Sequence, residues 1–139
     1  MTSRADIGEQ KIVLIVDDQP LLRRLMREFL QSPFPGCNFR EAADGAGALE
    51  ACNAYLPDLI LMDICLPDAD GIELTAQLGT LHPGIPVIVV SHMSGEVYVQ
   101  QALAAGARAY VCKDHLVTDL VPAVAAAIGI PPATVMGAF

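Results

Sequence analysis

The sequence predicts a doubly wound α/β fold, a three-layer sandwich in which helices cover both faces of one five-stranded parallel sheet. Two observations predict it. Short apolar runs alternate five times with longer segments whose apolar residues recur at helical spacing. Four of the five runs are apolar throughout, which is typical of strands that helices cover on both faces. The loops between the segments are short, as expected for successive strand–helix units.

The first half of the chain supplies three strands and two helices. The apolar run KIVLIV, residues 11–16, predicts a buried strand. Apolar residues at helical spacing predict a helix over 20–31, which begins with a proline. A weaker strand is expected around 37–42, after the loop SPFPG. A helix over 45–55 and the short apolar strand LILM, residues 59–62, follow.

The second half continues the alternation with three helices and two strands. A helix is predicted over 72–81, and the apolar run 87–90 predicts the fourth strand. A helix over 96–105 precedes the fifth strand, which is expected at 109–112. The last helix is predicted over 118–128.

Residue chemistry at the helix ends sets the expected boundaries. Asp68 and Asp70 are expected as turn and capping residues ahead of the third helix. Gly106 is the expected C-cap of the fourth helix, and Thr118 is a plausible N-cap of the fifth. Pro122 then falls at the fourth or fifth position of that last helix, which leaves a shifted start open.

Length and composition indicate one globular domain. A chain of 139 residues is long enough to bury a substantial core. The strand–helix units place the domain at residues 10–130. Residues 1–9 are expected to form a flexible N-terminal extension, and residues 131–139 a tail or a truncated linker. With 53% hydrophobic and 17% charged residues, the composition is that of a globular chain rather than a disordered one.

Charge and hydropathy narrow the classes of function. The formal net charge of −8 argues against direct nucleic acid binding, and it suits a protein that binds cations or a basic surface of a partner. No apolar run approaches the roughly 18 residues of a membrane helix, and the polar N-terminus lacks the apolar core of a signal peptide. We therefore expect no membrane association and a cytoplasmic location.

The candidate functional residues directly follow the predicted strands. Asp17 and Asp18 follow the first strand, Asp63 the third, Ser91 the fourth and Lys113 the fifth. In open parallel sheets, ligands bind beyond the carboxyl ends of the strands, where the strand order reverses. Each of these residues taken alone is better explained as a turn, capping or surface residue. The complete set at one edge of the sheet predicts a binding site.

The residue types in this set favour phosphoryl chemistry. Three carboxylates packed together repel one another, and a hard divalent cation relieves that repulsion. Oxygen-only ligands with few protein contacts favour Mg²⁺. With the cation bound, Asp63 can act as an anionic nucleophile. A phosphoryl group on Asp63 would present its oxygens to Ser91 and Lys113, which provides the positioning and charge neutralisation that phosphoryl transfer needs.

Four motifs carry a resemblance to a known family: IVDDQP (15–20), LMDICLPDADG (61–71), VIVVSH (87–92) and GARAYVCKD (106–114). Over roughly residues 11–128 the chain resembles the receiver domain of two-component response regulators, the CheY-like superfamily. The resemblance implies the flavodoxin-like (βα)5 fold of that superfamily. The residues of the last motif are most similar to those of the subgroup that often carries a C-terminal helix-turn-helix output domain.

The resemblance implies a phosphoacceptor and a metal site. Asp63 would accept a phosphoryl group from a phosphohistidine on a sensor histidine kinase or phosphotransfer protein. Asp17, Asp18 and Asp63 would bind Mg²⁺ together with the backbone carbonyl of Cys65. Such a domain catalyses only its own phosphorylation and dephosphorylation, so the resemblance implies a switch rather than an enzyme with a free product.

The resemblance also implies a conformational switch. Ser91 and Lys113 would bind the phosphoryl oxygens. Tyr110 matches the aromatic residue that turns inward when the hydroxyl residue moves, so Ser91 and Tyr110 are the expected switch pair. What the switch acts on is left open: a C-terminal DNA-binding output domain missing from this chain, a separate target, or a second copy in a phosphorylation-dependent homodimer.

Several positions depart from the pattern of the family. His92 stands where a small residue is typical, and we expect its side chain to face solvent. Asp114 replaces a proline that often follows the lysine through a cis bond, and a cis bond before a non-proline residue costs about 2.5–4 kcal/mol. This departure bears on the geometry of Lys113. Cys65 and Met93 occupy positions that help to set phosphoryl lifetime in the family. Because both hold an attacking water poorly, they predict slow self-dephosphorylation.

Three other classes of protein share parts of this pattern. An aspartate-nucleophile phosphatase of the haloacid dehalogenase type needs a second acid two residues after the nucleophile, where this chain has Cys65. A flavin-binding module needs a phosphate-binding loop after the first strand, where Asp17 and Asp18 would repel the phosphate. A degenerate receiver would use the fold only for phosphorylation-independent protein contacts. The complete acidic set argues against it, although His92 and Asp114 leave it open.

Overall fold

The computed structural model describes residues 10–133, within which five strands alternate with five α-helices. The strands are β1 (Lys11–Val16), β2 (Cys37–Ala42), β3 (Leu59–Met62), β4 (Val87–Ser91) and β5 (Ala109–Cys112). The helices are α1 (Pro20–Gln31), α2 (Gly45–Tyr55), α3 (Gly71–Leu81), α4 (Glu96–Ala104) and α5 (Leu116–Ile128), with a 3₁₀ turn at Lys113–His115 before α5. The predicted doubly wound α/β fold is confirmed.

The five strands form one sheet in the order β2-β1-β3-β4-β5, and every neighbouring pair is parallel. All residues of β3 and β4 are buried, as are the last four of β1, which explains why these strands are apolar. From β1 the chain runs to β2 on one side and then to β3 on the other. The strand order therefore reverses between β1 and β3, and a crevice opens at their carboxyl ends.

Helices cover both faces of the sheet. On one face, Met26 of α1 and Leu120 of α5 pack with the strands in a single apolar cluster. On the other face, Cys52 of α2 and Leu78 of α3 belong to a second cluster, and Ala102 of α4 belongs to a third. Successive strand residues point to opposite faces, so each inner strand contributes to both layers. Each fully buried large apolar side chain contributes about 1.5–3 kcal/mol to this arrangement.

The start of α5 differs from the prediction. The helix begins at Leu116, directly after the 3₁₀ turn, and Thr118 is not its N-cap. The Thr118 hydroxyl instead donates to the carbonyl of His115 at 3.2 Å. Pro122 therefore lies inside the helix, where it lacks the N–H that would bond to the preceding turn.

The other helix ends follow the predicted chemistry closely. Helix α4 ends at Ala104, one residue earlier than predicted, and Gly106 then adopts φ +107°. The N–H of Gly106 donates to the carbonyl of Leu103, and the N–H of Ala107 to that of Ala102. These two bonds form the glycine-terminated cap that the sequence predicted. Helix α3 begins one residue earlier, and β4 ends one residue later, than predicted.

The described residues include the beginning of the predicted tail. The N–H of Ala133 donates to the carbonyl of Pro33 at 2.7 Å, so the chain packs against the loop between α1 and β2 after α5. The predicted flexible extension, residues 1–9, and the rest of the tail, residues 134–139, lie outside the described residues. Among residues 10–133, the helices are too short or too polar to cross a membrane.

Candidate functional site

Two aspartates lie side by side where the strand order reverses. Asp17 directly follows β1 and Asp63 directly follows β3, and the N–H of Asp63 donates to the carbonyl of Val16 at 3.0 Å. This bond continues the pairing of β1 with β3, so the two side chains emerge in the same crevice. Asp17 is fully buried and Asp63 is 6% exposed, whereas Asp18 is exposed to solvent. Carboxylate oxygens of all three lie within 4.8 Å of one another.

Lys113 supplies a positive charge to this cluster. Its side chain is 3% exposed, and its ammonium lies 2.7 Å from Oδ2 of Asp17 and 3.2 Å from Oδ2 of Asp63. Both contacts are charge-assisted hydrogen bonds in a region of low dielectric. None of the peptide bonds between residues 10 and 133 is cis, and Lys113 reaches both acids although Asp114 follows it.

The electrostatics of the cluster fit a hard cation. Burial raises the pKa of the Asp63 carboxyl above its usual range, and the neighbouring Asp17 carboxylate raises it further. Lys113 opposes this shift, as does the N–H of Ile64, which donates to Oδ1 of Asp63 at 2.8 Å. When ionised, three carboxylates and one ammonium leave a net charge of −2. Because every acidic donor atom is oxygen, Asp17, Asp18 and Asp63 are suited to hold Mg²⁺.

The Cys65 carbonyl was expected as a further ligand, and it belongs to the loop that follows β3. The side chain of Cys65 is exposed, and the residue forms an isolated bridge with Asp70 across the loop. The N–H of Leu66 donates to the carbonyl of Ile64 at 3.2 Å, which turns the chain sharply just after the phosphoacceptor candidate. The loop therefore keeps Cys65 near the cluster, and the part of its carbonyl as a ligand stays a prediction.

The expected switch residues both contact Met93, in the loop between β4 and α4. Ser91 is buried at the end of β4, and its hydroxyl oxygen accepts the N–H of Met93 at 3.2 Å. Tyr110 is half-buried on β5, and its hydroxyl donates to the carbonyl of Met93 at 2.5 Å. Burial raises the pKa of Tyr110, so its phenol stays protonated and able to donate at neutral pH. His92 is exposed to solvent, as expected.

Arg23 supports the cluster from α1, and nothing in the sequence singled it out. Its side chain is 15% exposed, and Nη1 donates to the backbone carbonyl of Asp17 at 2.6 Å. Its Nε donates to Glu41 at 3.0 Å, and Arg27 donates to the other oxygen of the same carboxylate at 2.9 Å. The guanidinium of Arg23 therefore joins α1 and the end of β2 to the turn that carries the first two acids.

We expect Arg23→Met to lower the free energy of unfolding by about 1–3 kcal/mol, because the buried carbonyl of Asp17 loses its donor. Arg24→Met is the matched control. Arg24 is the next residue in the helix, and its side chain is 74% exposed in a pair with Glu28. A change below about 0.5 kcal/mol is expected for that surface pair. Urea denaturation measures both values, and equal losses would contradict the support assigned to Arg23.

The two aspartates expected ahead of α3 have different partners. Asp70 caps α3 as predicted, with Oδ1 accepting the N–H of Ile72 at 2.8 Å. Asp68 instead accepts the N–H of Gly45 at 2.7 Å and that of Ala46 at 3.0 Å, both in the first turn of α2. The loop after β3 is therefore joined to α2 as well as to α3, and sequence spacing carried no signal for the first of these contacts.

The fold and the site together define a CheY-like α/β protein with an acidic pocket and a buried lysine at the carboxyl ends of its strands. The family model of the response regulator receiver domain matches residues 13–125. The chain belongs to this family, the receiver domains of two-component response regulators.

Two known proteins are similar to this chain in sequence. The chain is 38% identical over 103 residues to the chemotaxis protein CheY of Halobacterium salinarum, covering 74% of this chain and 84% of that protein. It is 34% identical over 128 residues to the transcriptional regulatory protein PdtaR of Mycobacterium tuberculosis, covering 91% of this chain. The match spans 61% of PdtaR, less than two thirds of its length.

A solved structure is similar to this chain in fold. The crystal structure of the CheX–CheY–BeF₃–Mg²⁺ complex from Borrelia burgdorferi contains a chain that is similar to this one with a TM-score of 0.77. The two chains are 26% identical, and the match covers 84% of this chain and 87% of that chain. The doubly wound architecture described above is therefore the fold of solved receiver domains.

Proposed function

We propose that this receiver domain accepts a phosphoryl group on Asp63 from a phosphohistidine of a sensor histidine kinase or phosphotransfer protein. The observation that carries the proposal is the position of Asp63, which contacts the buried Lys113 and lies within 4.8 Å of Asp17 and Asp18. Membership of the receiver family supports the same assignment. The proposed domain covers residues 10–130, the range that contains every strand and helix described.

Asp63 is better placed to act as the nucleophile than its buried neighbour Asp17. Donors reach both oxygens of each acid: those of Asp17 accept the N–H of Gln19 at 2.8 Å and Lys113 at 2.7 Å, and those of Asp63 accept the N–H of Ile64 at 2.8 Å and Lys113 at 3.2 Å. The two acids differ in their exposure. Asp17 has no exposed surface, whereas Asp63 reaches solvent. A phosphoryl donor can therefore approach Asp63, and Asp17 is suited to hold a cation.

The transfer exchanges one bond to phosphorus for another. An oxygen of Asp63 forms a bond to phosphorus, the bond from phosphorus to the imidazole nitrogen of the donor breaks, and the imidazole takes up a proton. The ammonium of Lys113 and the hydroxyl of Ser91 would bind oxygens of the transferred group and offset its charge. Asp17, Asp18, Asp63 and the carbonyl of Cys65 would hold Mg²⁺, which would supply further charge neutralisation. The CheX–CheY complex named above contains Mg²⁺ and BeF₃, which supports such a site.

The proposed chemistry is confined to the chain itself. The acyl phosphate stays on Asp63 until water attacks phosphorus, which releases inorganic phosphate and regenerates the carboxylate. The domain would thus catalyse its own phosphorylation and dephosphorylation, and it would not act as an enzyme on a free substrate.

The modification would change the surface at α4 and β5. Ser91 now accepts the N–H of Met93, and the carbonyl of Met93 accepts the hydroxyl of Tyr110. If the Ser91 hydroxyl turns toward a phosphoryl oxygen, it releases the N–H of Met93. The position of Met93 then changes, and with it the hydrogen bond that holds Tyr110. Helix α4 buries one residue, Ala102, so a small change in the preceding loop can shift the helix between two packings.

The switched surface would act on an output domain or a separate partner. PdtaR is a transcriptional regulatory protein, and the match spans 61% of it, which supports the proposal that an output domain accompanies the receiver in the whole protein. The resemblance to the subgroup with helix-turn-helix output domains points to a DNA-binding one. The net charge of −8 argues that DNA contacts belong to that domain and not to this chain. A separate target and a second copy in a phosphorylation-dependent homodimer are the alternatives to that output domain. We also propose a cytoplasmic location with no membrane contact.

Intact mass after incubation with Mg²⁺ and acetyl phosphate tests the proposal. The parent is expected to gain one phosphoryl group, and Asp63→Asn, which keeps the shape of the side chain, is expected to gain none. Beryllofluoride is the second probe, because it should raise the melting temperature of the parent by mass action even where acetyl phosphate is a poor donor. If neither reagent changes the parent, the degenerate receiver replaces the proposal.

We expect Met93→Asn to shorten the lifetime of the phosphoryl group on Asp63 about tenfold. Met93 packs against an apolar cluster, and neither it nor the exposed thiol of Cys65 orients a water for attack. An amide that binds the attacking water with about 1.4 kcal/mol in the transition state gives a tenfold rate increase. Met93→Leu is the control that keeps the position apolar. Mass spectra taken after donor removal measure the decay, and unchanged decay in Met93→Asn would refute the prediction.

A further inference from the structure

Backbone hydrogen bonds join the loop after β3, residues 63–71, to β1 at its first residue and close the loop on itself at its last. Its first residue donates its N–H to the carbonyl of Val16 at 3.0 Å, and its last residue donates to the carbonyl of Ile64 at 2.8 Å. The residues between them include the loop tip, residues 67–69. The position of the loop tip depends on what it contacts outside the loop.

Asp68 joins the loop tip to α2. Its two carboxylate oxygens accept the N–H of Gly45 at 2.7 Å and that of Ala46 at 3.0 Å. These hydrogen bonds lower the pKa of Asp68, so the carboxylate stays ionised at the positive end of the helix dipole. The side chain of Asp68 is exposed, so burial in a core does not explain its placement.

Helix α2 has its own cap without Asp68. Asp44 occupies the N-cap position, and its Oδ1 accepts the N–H of Gly47 at 2.7 Å. The bond from Gly45 to Asp68 spans 23 residues of sequence and uses an N–H that Asp44 leaves free. Asp68 therefore connects two elements of the fold rather than completing one helix.

Close packing at Gly45 brings α2 and the loop tip into contact. A Cβ at Gly45 would lie 2.9 Å from the Cβ of Ala69 and 3.2 Å from Oδ1 of Asp68. The first distance is shorter than side chains tolerate, so glycine at the start of α2 is what allows the tip to approach. The polar contact of Asp68 is thus accompanied by direct steric contact between the same two segments.

We propose that Asp68 is a positioning residue for the cation site: by holding the loop tip on α2, it fixes the orientation of the loop that carries the Cys65 carbonyl beside Asp63. The bond from Gly71 to Ile64 and the bridge between Cys65 and Asp70 lie within the loop and hold it together as one unit, so the contact of the tip with α2 bears on the position of Cys65 as well. The inference rests on the proposed function, since its cation is the one proposed for phosphoryl transfer. Outer partners that orient metal ligands typically change metal affinity by about 10–100-fold when they are removed.

Mg²⁺ affinity, measured by isothermal titration calorimetry on the parent, Asp68→Ala and Asp44→Ala, tests the proposal. Both variants remove one carboxylate that accepts backbone N–H groups of the first turn of α2, and both remove one negative charge from the protein. Only Asp68→Ala releases the loop tip. We expect about tenfold weaker Mg²⁺ binding in Asp68→Ala and unchanged binding in Asp44→Ala. Asp68→Asn keeps an oxygen for one backbone N–H and should recover part of the affinity.

Equal Mg²⁺ affinity in Asp68→Ala and the parent would overturn the inference, as would equal losses in the two alanine variants. A parent that binds no Mg²⁺ would overturn it as well. If the parent binds Mg²⁺ and gains no phosphoryl group from acetyl phosphate, the proposed phosphorylation fails, and the comparison of Mg²⁺ affinities still decides the part played by Asp68.

Discussion

Lys113→Met is expected to lower the free energy of unfolding of the Mg²⁺-free protein by about 3–5 kcal/mol. The ammonium of Lys113 lies 2.7 Å from the Asp17 carboxylate and 3.2 Å from that of Asp63, and both acids are buried. Methionine has a similar length and no charge, so the substitution keeps most of the packing. It leaves two neighbouring carboxylates with no cation between them, and a buried charge without a partner is strongly destabilising.

Mg²⁺ and low pH are each expected to reduce this loss. A divalent cation bound by the same carboxylates offsets their charge, so Mg²⁺ should stabilise Lys113→Met more than it stabilises the parent. Burial already raises the pKa of Asp63, and the positive charge of Lys113 lowers it. Loss of the lysine therefore raises the pKa of Asp63 further. The carboxyl then takes up a proton at a higher pH in the folded state, so the destabilisation shrinks as the pH falls.

Urea denaturation in EDTA, in Mg²⁺ and over a range of pH measures these effects. Lys11→Met is the control, because Lys11 is exposed at the amino end of β1, at the opposite edge of the sheet from the cluster. A change below about 0.5 kcal/mol is expected for that surface lysine. If Lys113→Met lost no more stability than Lys11→Met in EDTA, the buried lysine would not be the counter-ion of the two acids.

The strands were predictable because burial on both faces restricts the residues that a strand can contain. The apolar runs located β1, β3, β4 and β5 to within one residue, and β2, whose pattern was weaker, lies at the expected residues 37–42. The start of α5 was harder to predict from the sequence. The capping chemistry of Thr118 favoured a start there, but the chain enters the helix from the 3₁₀ turn at Lys113–His115, so the hydroxyl bonds to His115 instead. Residue types alone do not show that a 3₁₀ turn runs directly into the helix.

The residues of the acidic pocket could be located because parallel strands all end at one edge of the sheet. The structure brings Asp17, Asp18, Asp63 and Lys113 together there, as their positions directly after the strands predicted. Ser91 lies at the end of the neighbouring strand, and its hydroxyl contacts the backbone N–H of Met93 rather than the acids.

Two supporting residues could not be located in this way. Arg23 and Asp68 contact backbone groups, a carbonyl in one case and two N–H groups in the other. Backbone groups are the same at every position, so nothing in the sequence separates Arg23 from Arg24, or Asp68 from Asp70, as a partner of the site. Contacts between a side chain and a distant backbone group can be identified only from the distances between their atoms in the structure.

Gly71→Ala is expected to lower the free energy of unfolding by about 3 kcal/mol or more and to abolish Mg²⁺ binding. A Cβ at Gly71 would lie 1.8 Å from the carbonyl oxygen of Asp63 and 2.9 Å from Cα of Ile64. Both atoms belong to the backbone, so no side-chain rotation relieves the overlap. The loop must move, which breaks the bond from the Gly71 N–H to the Ile64 carbonyl and displaces Asp63, the proposed phosphoacceptor.

Gly79→Ala is the matched control, because Gly79 lies in the same helix and a Cβ there would meet nothing within 4 Å. It is expected to stabilise the protein by about 0.5–1 kcal/mol, since alanine loses less backbone entropy than glycine in a helix. Urea denaturation gives both free energies, and calorimetry gives both Mg²⁺ affinities. A stabilised Gly71→Ala that binds Mg²⁺ normally would show that α3 does not approach the backbone of Asp63. Because both substitutions bring alanine into α3, the difference between them isolates the cost of that close approach from helix propensity.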